Sequence, residues 1–210
     1  MSLLTTCPQG AAIIDILIDN CPSDVGQIQR LIFQRIYSSG STRNSIAVAD
    51  APLLATWVAF QAALAGTKTQ ITPFISAPEN ELGAAITYGG GNDTVDGIPL
   101  TTGVEPSKFS CKMIRVHAKT AEAMKGLIGE QIGVYLVNEH SRIWGDSDDA
   151  TTPTLFYPIE IRELFISDRK LGGKIEPDYY MMSFSLPPNW SDKLNEIIPT
   201  DFDPLTALAN

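Results

Sequence analysis

The sequence predicts a mainly β protein with one main helix and one short helix. Glycine and proline together supply about one turn-forming residue in every seven, a density that favours many short elements over a helix bundle. Short runs that are β-branched or alternate between apolar and polar residues recur along the chain, whereas helical spacing of apolar residues is clear in two stretches. At 210 residues the chain suits one sizeable core, and two well-formed domains would be cramped.

The first two predicted elements precede residue 40. Residues 11–18 are short and β-branched and end in a turn signal, which predicts a first strand. Residues 26–37 fit either a strand or a helix. We favour a strand, because Gly26 opens the segment and the sequence SSGS at 38–41 closes it.

The main helix is predicted over residues 50–64. Asp50 is a suitable N-cap, Pro52 falls in the first turn where a missing N–H costs nothing, and Gly66 follows the end. Apolar residues recur at spacings of three and four and should form a stripe facing the core: Leu53, Leu54, Trp57, Phe60, Ala63 and Leu64. We expect Trp57 and Phe60 to serve packing rather than ligand binding.

Three short strands are predicted next. Residues 71–75 contain Pro73, and because a proline cannot donate to a ladder this strand should be an edge or a bulge. Residues 84–88 and 98–102 flank a triple glycine at 89–91. Residues 76–103 form the long, proline- and glycine-rich excursion of the predicted fold, in which the three glycines permit a sharp, close-packed turn.

A strand at 113–117 leads into the predicted short helix. Thr120 is its expected N-cap and Gly129 its stop. Three residues should face inward: Met124, Leu127 and Ile128.

The second half is more plainly β. Residues 132–137 form a run of the buried type, and 142–144 return after a turn. Residues 155–166 are predicted as one long strand, with Pro158 as an irregularity. Residues 179–186 alternate and should place four residues on one face: Tyr180, Met182, Phe184 and Leu186.

The chain is acidic, with a formal net charge of −9 and a pI near 4.6. Its 15 basic residues are scattered, whereas a groove that grips nucleic acid needs them clustered. The composition therefore argues against a binder of the phosphate backbone. An acidic surface could still face DNA that must slide past without sticking, because like charges repel.

Three cysteines, Cys7, Cys21 and Cys111, form no C-x-x-C pair and are expected to be reduced thiols, although a Cys7–Cys21 bridge is possible. No basic residue precedes Arg30, and no apolar run approaches 18 residues. We therefore expect neither a secretory signal nor a membrane anchor, in a protein that is kept inside a cell or leaves it by another route.

No constellation of residues predicts catalysis or ligand binding. The glycine-rich segment 88–93 matches neither phosphate-binding motif, and the acidic segment 146–149 lacks the glycine and closing glutamate of a calcium loop. His117 and His140 are the two histidines, and no serine nucleophile motif accompanies them. We expect no enzyme, and no catalytic, cofactor or metal site.

Five segments of the chain carry a family resemblance: CPSDVGQIQRLIFQR, TKTQITPFI, ITYGGGNDTVDGIPL, GVYLVNE and SFSLPPNWSDKL. They resemble virion structural proteins of tailed phages and prophages, especially those of Bacteroides-group hosts. The chain is most similar to tail-tube proteins, over roughly residues 20–205. The five segments are architectural rather than catalytic. The resemblance implies a β-sandwich or barrel flanked by a helix, in rings whose sheets join across subunits around a DNA-conducting lumen, with a long loop and terminal arms reaching the next ring.

This organisation divides the chain into an N-terminal arm at 1–20, one β-rich domain at 21–189 and a C-terminal arm at 190–210. The last segment carries two prolines and several acids, yet it retains apolar residues, which suits an extended arm that docks on a neighbouring subunit. The expected subunit-interface residues are Pro73, Pro78, Tyr88, Gly89, Gly90, Gly91, Asn92, Asp93, Trp190, Phe202 and Leu205.

The first hypothesis is therefore a non-enzymatic tail-tube subunit, a homo-oligomer that contacts other virion proteins and lets DNA pass without specific binding. It would be located in the virion after assembly in the host cytoplasm. The alternatives are another virion component (a head–tail connector, baseplate ring or capsid protein) and a β-rich glycan- or calcium-binding module using Trp144, Trp190 and residues 146–149.

Overall fold

The structure is a computed structural model that describes residues 26–64, 66–94 and 97–208. These residues are mainly β with two α-helices, which confirms the predicted fold class. In chain order the strands are β1 (Ile28–Arg35), β2 (Tyr37–Ser39), β3 (Thr42–Arg43), β4 (Ile46–Ala47), β5 (Thr69–Ile71), β6 (Ser76–Glu81), β7 (Ala85–Tyr88), β8 (Leu100–Val104), β9 (Ser107–Ile114), β10 (Ile132–Asn138), β11 (Ile143–Ser147), β12 (Leu155–Tyr157), β13 (Ile159–Glu160), β14 (Arg162–Ile166), β15 (Tyr179–Leu186) and β16 (Leu194–Ile197). The helices are α1 (Leu54–Ala62) and α2 (Ala118–Lys125).

The described residues fall into two units. Residues 26–84 and 104–208 form the β-rich body, and residues 85–103 belong to a second unit. The predicted strand at 11–18 and the predicted arm at 1–20 lie outside the described residues.

An eight-stranded antiparallel sheet is the centre of the body. Six of its strands run in the order β4-β12-β11-β10-β1-β5, while β13 also pairs with β10 and β16 with β11. All seven residues of β10 are buried. Burial on both faces explains why its sequence is nearly continuous in apolar residues rather than alternating.

A four-stranded antiparallel sheet, in the order β14-β15-β9-β6, packs against one face of the larger sheet. Alternate residues of β15 point into the space between the sheets, as predicted, and Met182 and Leu186 are almost fully buried there. They share one apolar cluster with Leu31 of β1 and Val134 of β10. We call this the first core cluster, and it makes the body a β-sandwich.

The opposite face of the larger sheet is covered by α1 and by the C-terminal segment. Ile32 and Tyr135 point to this side and share the second core cluster with Trp57 and Leu208. The Trp57 ring meets Tyr135 edge-on at 5.2 Å, and its indole N–H donates to the carbonyl of Ala51 at 2.8 Å. The larger sheet is therefore buried on both faces.

Helix α1 begins four residues later than predicted. Asp50 is not its N-cap, because residues 50–53 form a turn and the cap position is Leu53, which has no capping side chain. The carboxylate of Asp201 instead accepts the Leu54 N–H at 2.9 Å. A C-terminal residue thus supplies the acceptor that the local sequence does not.

The apolar stripe of α1 is narrower than predicted. Trp57 is fully buried and Phe60 is half-buried against the second core cluster, which agrees with their predicted packing role. Leu53 and Leu64 are exposed, because both lie outside the helix.

Helix α2 begins after His117, so Thr120 lies inside it and is not the N-cap. Met124 is buried and Leu127 packs against the first core cluster, as predicted. Ile128 was expected to face inward but is 45% exposed, since it lies beyond the end of the helix.

The predicted strand at 71–75 is wrong in its bounds, because β5 ends at Ile71. The chain continues beside β1 through the backbone N–H groups of Thr72 and Ile75, which donate to β1 residues at 2.8 and 2.9 Å. Pro73 lies between these two donors and has none of its own, so the ladder is interrupted there.

The remaining strand predictions differ in accuracy. Most of residues 26–37 form a strand, β1 (Ile28–Arg35), which settles the choice between strand and helix, although Tyr37 already belongs to β2. The strand predicted at 113–117 overlaps β9 (Ser107–Ile114) only at its first two residues, because the chain leaves the sheet after Ile114 and turns into α2. Residues 155–166 are three strands rather than one, since β12 and β13 belong to the larger sheet and β14 to the smaller one.

The C-terminal segment differs from the expected extended arm. Strand β16 pairs with β11 over four residues, and Leu208 is almost fully buried. The side-chain amide of Gln61 donates to the carbonyl of Leu208 at 2.8 Å. Four apolar residues of the segment lie in or against the second core cluster, on the face of the larger sheet beside α1, and so serve the chain's own packing: Ile197, Phe202, Leu205 and Leu208.

Candidate interaction site

Residues 85–103 contain a two-stranded sheet formed by β7 and β8, which confirms the two short strands predicted around the glycines. The hydroxyl of Thr102 donates to the carbonyl of Ile86 at 3.1 Å across this pair. A single 3-10 turn at Gly91–Asp93 lies in the connection. We call residues 85–103 the hairpin.

The triple glycine sets the shape of the hairpin's turn. Gly89, Gly90 and Gly91 have φ values of 78°, 114° and 60°, a region that L side chains rarely adopt. A Cβ on Gly89 would lie 2.2 Å from the methyl group of Thr94, whose hydroxyl accepts the Gly90 N–H at 3.1 Å. The glycines are therefore required by the turn itself, as the sequence predicted.

The hairpin exposes both the predicted polar residues and a set of apolar ones. Tyr88 is 64% exposed, and Asn92 and Asp93 are also exposed. The exposed apolar side chains are Ile86, Tyr88, Ile98 and Leu100. Apolar residues grouped in one exposed segment are typical of a surface that is covered by a partner.

The other predicted interface residues have different environments. Pro78 lies in β6, an edge strand of the four-stranded sheet, as suits a residue without an N–H. Trp190 packs against the first core cluster, and Phe202 and Leu205 against the second. Trp190, Phe202 and Leu205 therefore bury part of their surface against the chain's own core. Pro73 lies between Thr72 and Phe74, which both contact a residue that the sequence did not single out, Arg30.

Arg30 of β1 is only 7% exposed, yet its charge has no carboxylate within 4 Å among the described residues. Its Nε donates to the carbonyl of Thr72 at 2.9 Å and its Nη1 to the carbonyl of Leu205 at 2.7 Å. The ring of Phe74 lies 4.6 Å from the centre of the guanidinium and is 52% exposed. Burial lowers the pKa of Arg30 from its usual value, and an arginine retains its charge at neutral pH.

The four-stranded sheet leaves two edges, β14 and β6, without a partner strand in the described chain. All but two of the six residues of β6 are exposed, and a register irregularity lies between Ser76 and Glu79. In β14, Arg162, Glu163 and Phe165 are exposed. Open edges of this kind can pair with another chain.

The acidic segment 146–149 is occupied by its own loop. Asp146 pairs with Arg43 at 2.7 Å. Asp148 and Asp149 accept backbone N–H groups of the residues that follow: Thr151 and Thr152 for Asp149, Thr154 and Leu155 for Asp148. Among the described residues no group of three His, Cys, Asp or Glu side chains could hold a metal ion.

These hydrogen bonds predict an acid-sensitive loop. The Thr154 hydroxyl and the Leu155 and Thr154 N–H groups hold the pKa of Asp148 well below its usual range. The stabilisation is therefore present above the ordinary aspartate pKa of about 4 and is lost as pH falls toward the lower, folded-state pKa. In urea unfolding, the stability difference between wild type and Asp148→Asn should be largest at pH 7 and shrink below about pH 4.

The matched control for that prediction is Asp50→Asn, because the Asp50 carboxylate accepts no hydrogen bond among the described residues. A stability difference for Asp148→Asn that is the same at pH 3 and pH 7 would contradict the prediction.

Cys111 and the tryptophan and histidine residues considered as possible site residues lie in the β-rich body. Cys111 is buried in the first core cluster, and burial raises the pKa of its thiol to about 12, which makes it unreactive. Trp144 and Trp190 are half-buried and pack partly against the same cluster. His117 precedes α2 and His140 lies in the turn after β10.

None of the helices in the described ranges has the length and apolar character needed to cross a membrane. Comparison with protein-family models, with curated proteins and with solved structures found no match to this chain.

Proposed function

We propose that this chain is a non-enzymatic structural subunit of a phage virion, a tail-tube protein that forms stacked rings around a DNA-conducting lumen. The observation that carries the proposal is the hairpin, whose apolar residues are exposed in the isolated chain: Ile86, Tyr88, Ile98 and Leu100. A segment of this composition gains most from being covered by another copy, as the resemblance to tail-tube proteins implies.

The sheet edges support a closed assembly. Pairing of β14 of one copy with β6 of the next would be a head-to-tail contact, and a repeated head-to-tail contact closes into a ring when its rotation divides a full turn. The irregular register of β6 and its proline restrict where a neighbouring strand can pair. Edges that favour aggregation in a monomer would then be the means of assembly.

The charge of the chain suits a conduit for DNA. At a net charge of −9, a ring of copies would repel the phosphate backbone rather than adsorb it. The partners are further copies of the chain and other virion proteins, and DNA passes without specific binding. The protein would reach the virion after assembly in the host cytoplasm.

Electron microscopy of the purified protein at high concentration tests this proposal. Closed rings with a central pore, or stacks of them, are the expected result, and immunogold labelling of virions should place the protein along the tail. A monodisperse monomer at every concentration would overturn the proposal. Labelling confined to the connector, the baseplate or the capsid would overturn the tube assignment alone.

A further inference from the structure

Arg30 is a buried cation whose hydrogen bonds are incomplete. Two of its five N–H groups donate, one from Nε and one from Nη1, and both acceptors are neutral backbone carbonyls. Nη2 has no partner among the described residues. Arg30 retains 7% of its surface exposed, so the guanidinium lies close to the protein surface.

The free-energy cost of burying the Arg30 charge is only partly compensated by its contacts. Removing a charge from water is costly unless an opposite charge and hydrogen bonds compensate it. The carbonyls of Thr72 and Leu205 orient the guanidinium but supply no negative charge. Because both are backbone atoms held by the fold, the guanidinium is preorganised to accept an anion at its remaining N–H groups, at little cost in side-chain entropy.

The surroundings of Arg30 define the ligand. The ring of Phe74 covers one face of the guanidinium and leaves half of its own surface exposed. A suitable ligand therefore combines a carboxylate for Nη2 with an apolar or aromatic group for Phe74. A free inorganic anion would satisfy the first requirement and not the second.

The hairpin offers both groups. Residues 85–103 contain two aspartates and no lysine or arginine, so the segment is negatively charged. Asp93 is exposed and has no ion-pair partner among the described residues, and Tyr88 is exposed in the same segment. The acidic and aromatic hairpin thus complements a site with an unpaired guanidinium and an exposed aromatic ring.

We propose that Arg30 and Phe74 form a carboxylate-binding site that accepts Asp93 from the hairpin of a second copy of this chain. The inference rests on the proposed self-assembly and adds its specific contact. Arg30 forms the charge-assisted hydrogen bond, and Phe74 packs against the apolar part of the incoming hairpin. The site belongs to one copy and the ligand to the next, so the contact can be repeated from copy to copy.

Cross-linking between two proteins that each carry one reactive cysteine tests this contact, and the starting pair leaves Arg30, Phe74 and Asp93 intact. One protein carries Asn92→Cys and the other Pro73→Cys, both with Cys7 and Cys21 replaced by serine. Cys111 stays, because its buried thiol, whose pKa is raised to about 12, does not react. A short bis-maleimide should join the two proteins into a heterodimer. Adding Asp93→Asn to the first protein should lower the yield about tenfold, whereas Asp50→Asn should leave it unchanged.

Phe74→Ala in the second protein is a second, independent test of the contact. Phe74 is half exposed, so its removal leaves the core intact. We expect a similar loss of yield. If rings form and the heterodimer does not, or if Asp93→Asn leaves its yield unchanged, this contact is overturned while the tail-tube proposal stands. If the wild-type protein forms no assembly, both proposals fail.

Discussion

Replacing Trp57 by alanine is expected to lower the free energy of unfolding by about 3–5 kcal/mol. Trp57 is fully buried in the second core cluster, where its ring meets Tyr135 at 5.2 Å. The change leaves a cavity between α1 and the larger sheet and removes the indole hydrogen bond to Ala51. Since a domain is typically stable by about 5–15 kcal/mol, this loss is a large part of the total.

Urea unfolding at a concentration where the protein is monomeric measures this effect, because assembly would add its own stabilisation. Val58→Ala is the matched control, as Val58 is the next residue of the same helix and is 46% exposed. Trp57→Phe retains most of the apolar volume and should cost less than Trp57→Ala. Equal effects for Trp57→Ala and Val58→Ala would show that α1 does not complete a core.

The strands whose bounds the sequence predicted best are β15, which is buried mainly on one face, and β10, which is buried on both faces. Residues 179–186 place their larger apolar side chains at alternate positions, and β15 has the predicted bounds because one of its faces packs against the larger sheet. The run at 132–137 is β10, which is buried on both faces. In both strands the local pattern and the tertiary environment agree.

Element boundaries were predicted less well where distant residues decide them. The start of α1 depends on Asp201, which is 147 residues away from Leu54 and invisible to any local capping rule. Residues 155–166 read as one strand because nothing local indicates that the chain leaves the larger sheet at Ile161 and enters the smaller one.

In the candidate site, too, the sequence predicted the feature that depends on local residues and missed the one that depends on distant residues. The glycine run made the hairpin's turn visible in the sequence, since a positive φ at three successive residues demands it. Arg30 was not singled out, because an arginine in an alternating strand is usually a solvent-facing position. Its burial depends on carbonyls 42 and 175 residues away, those of Thr72 and Leu205.

Replacing the hairpin by a two-residue turn is expected to abolish assembly and leave the fold intact. The Glu105 N–H donates to the carbonyl of Ala84 at 2.9 Å, which is the hydrogen bond that closes a four-residue turn. Asn-Gly in place of residues 85–104 can therefore connect the two ends directly. No described residue in that stretch is buried, so the free energy of unfolding should change by less than about 1 kcal/mol.

Sedimentation velocity and electron microscopy of this variant beside the wild type measure assembly, and urea unfolding measures the fold. Two single substitutions test whether the apolar side chains of the hairpin, rather than its mere presence, drive assembly. Leu100→Thr should weaken assembly, whereas Ile175→Thr, at a fully exposed position outside the hairpin, should not. Rings that persist without the hairpin would show that the sheet edges alone hold the copies together. Because the hairpin's apolar residues have no cover within the described chain, we expect the assembly to depend on them.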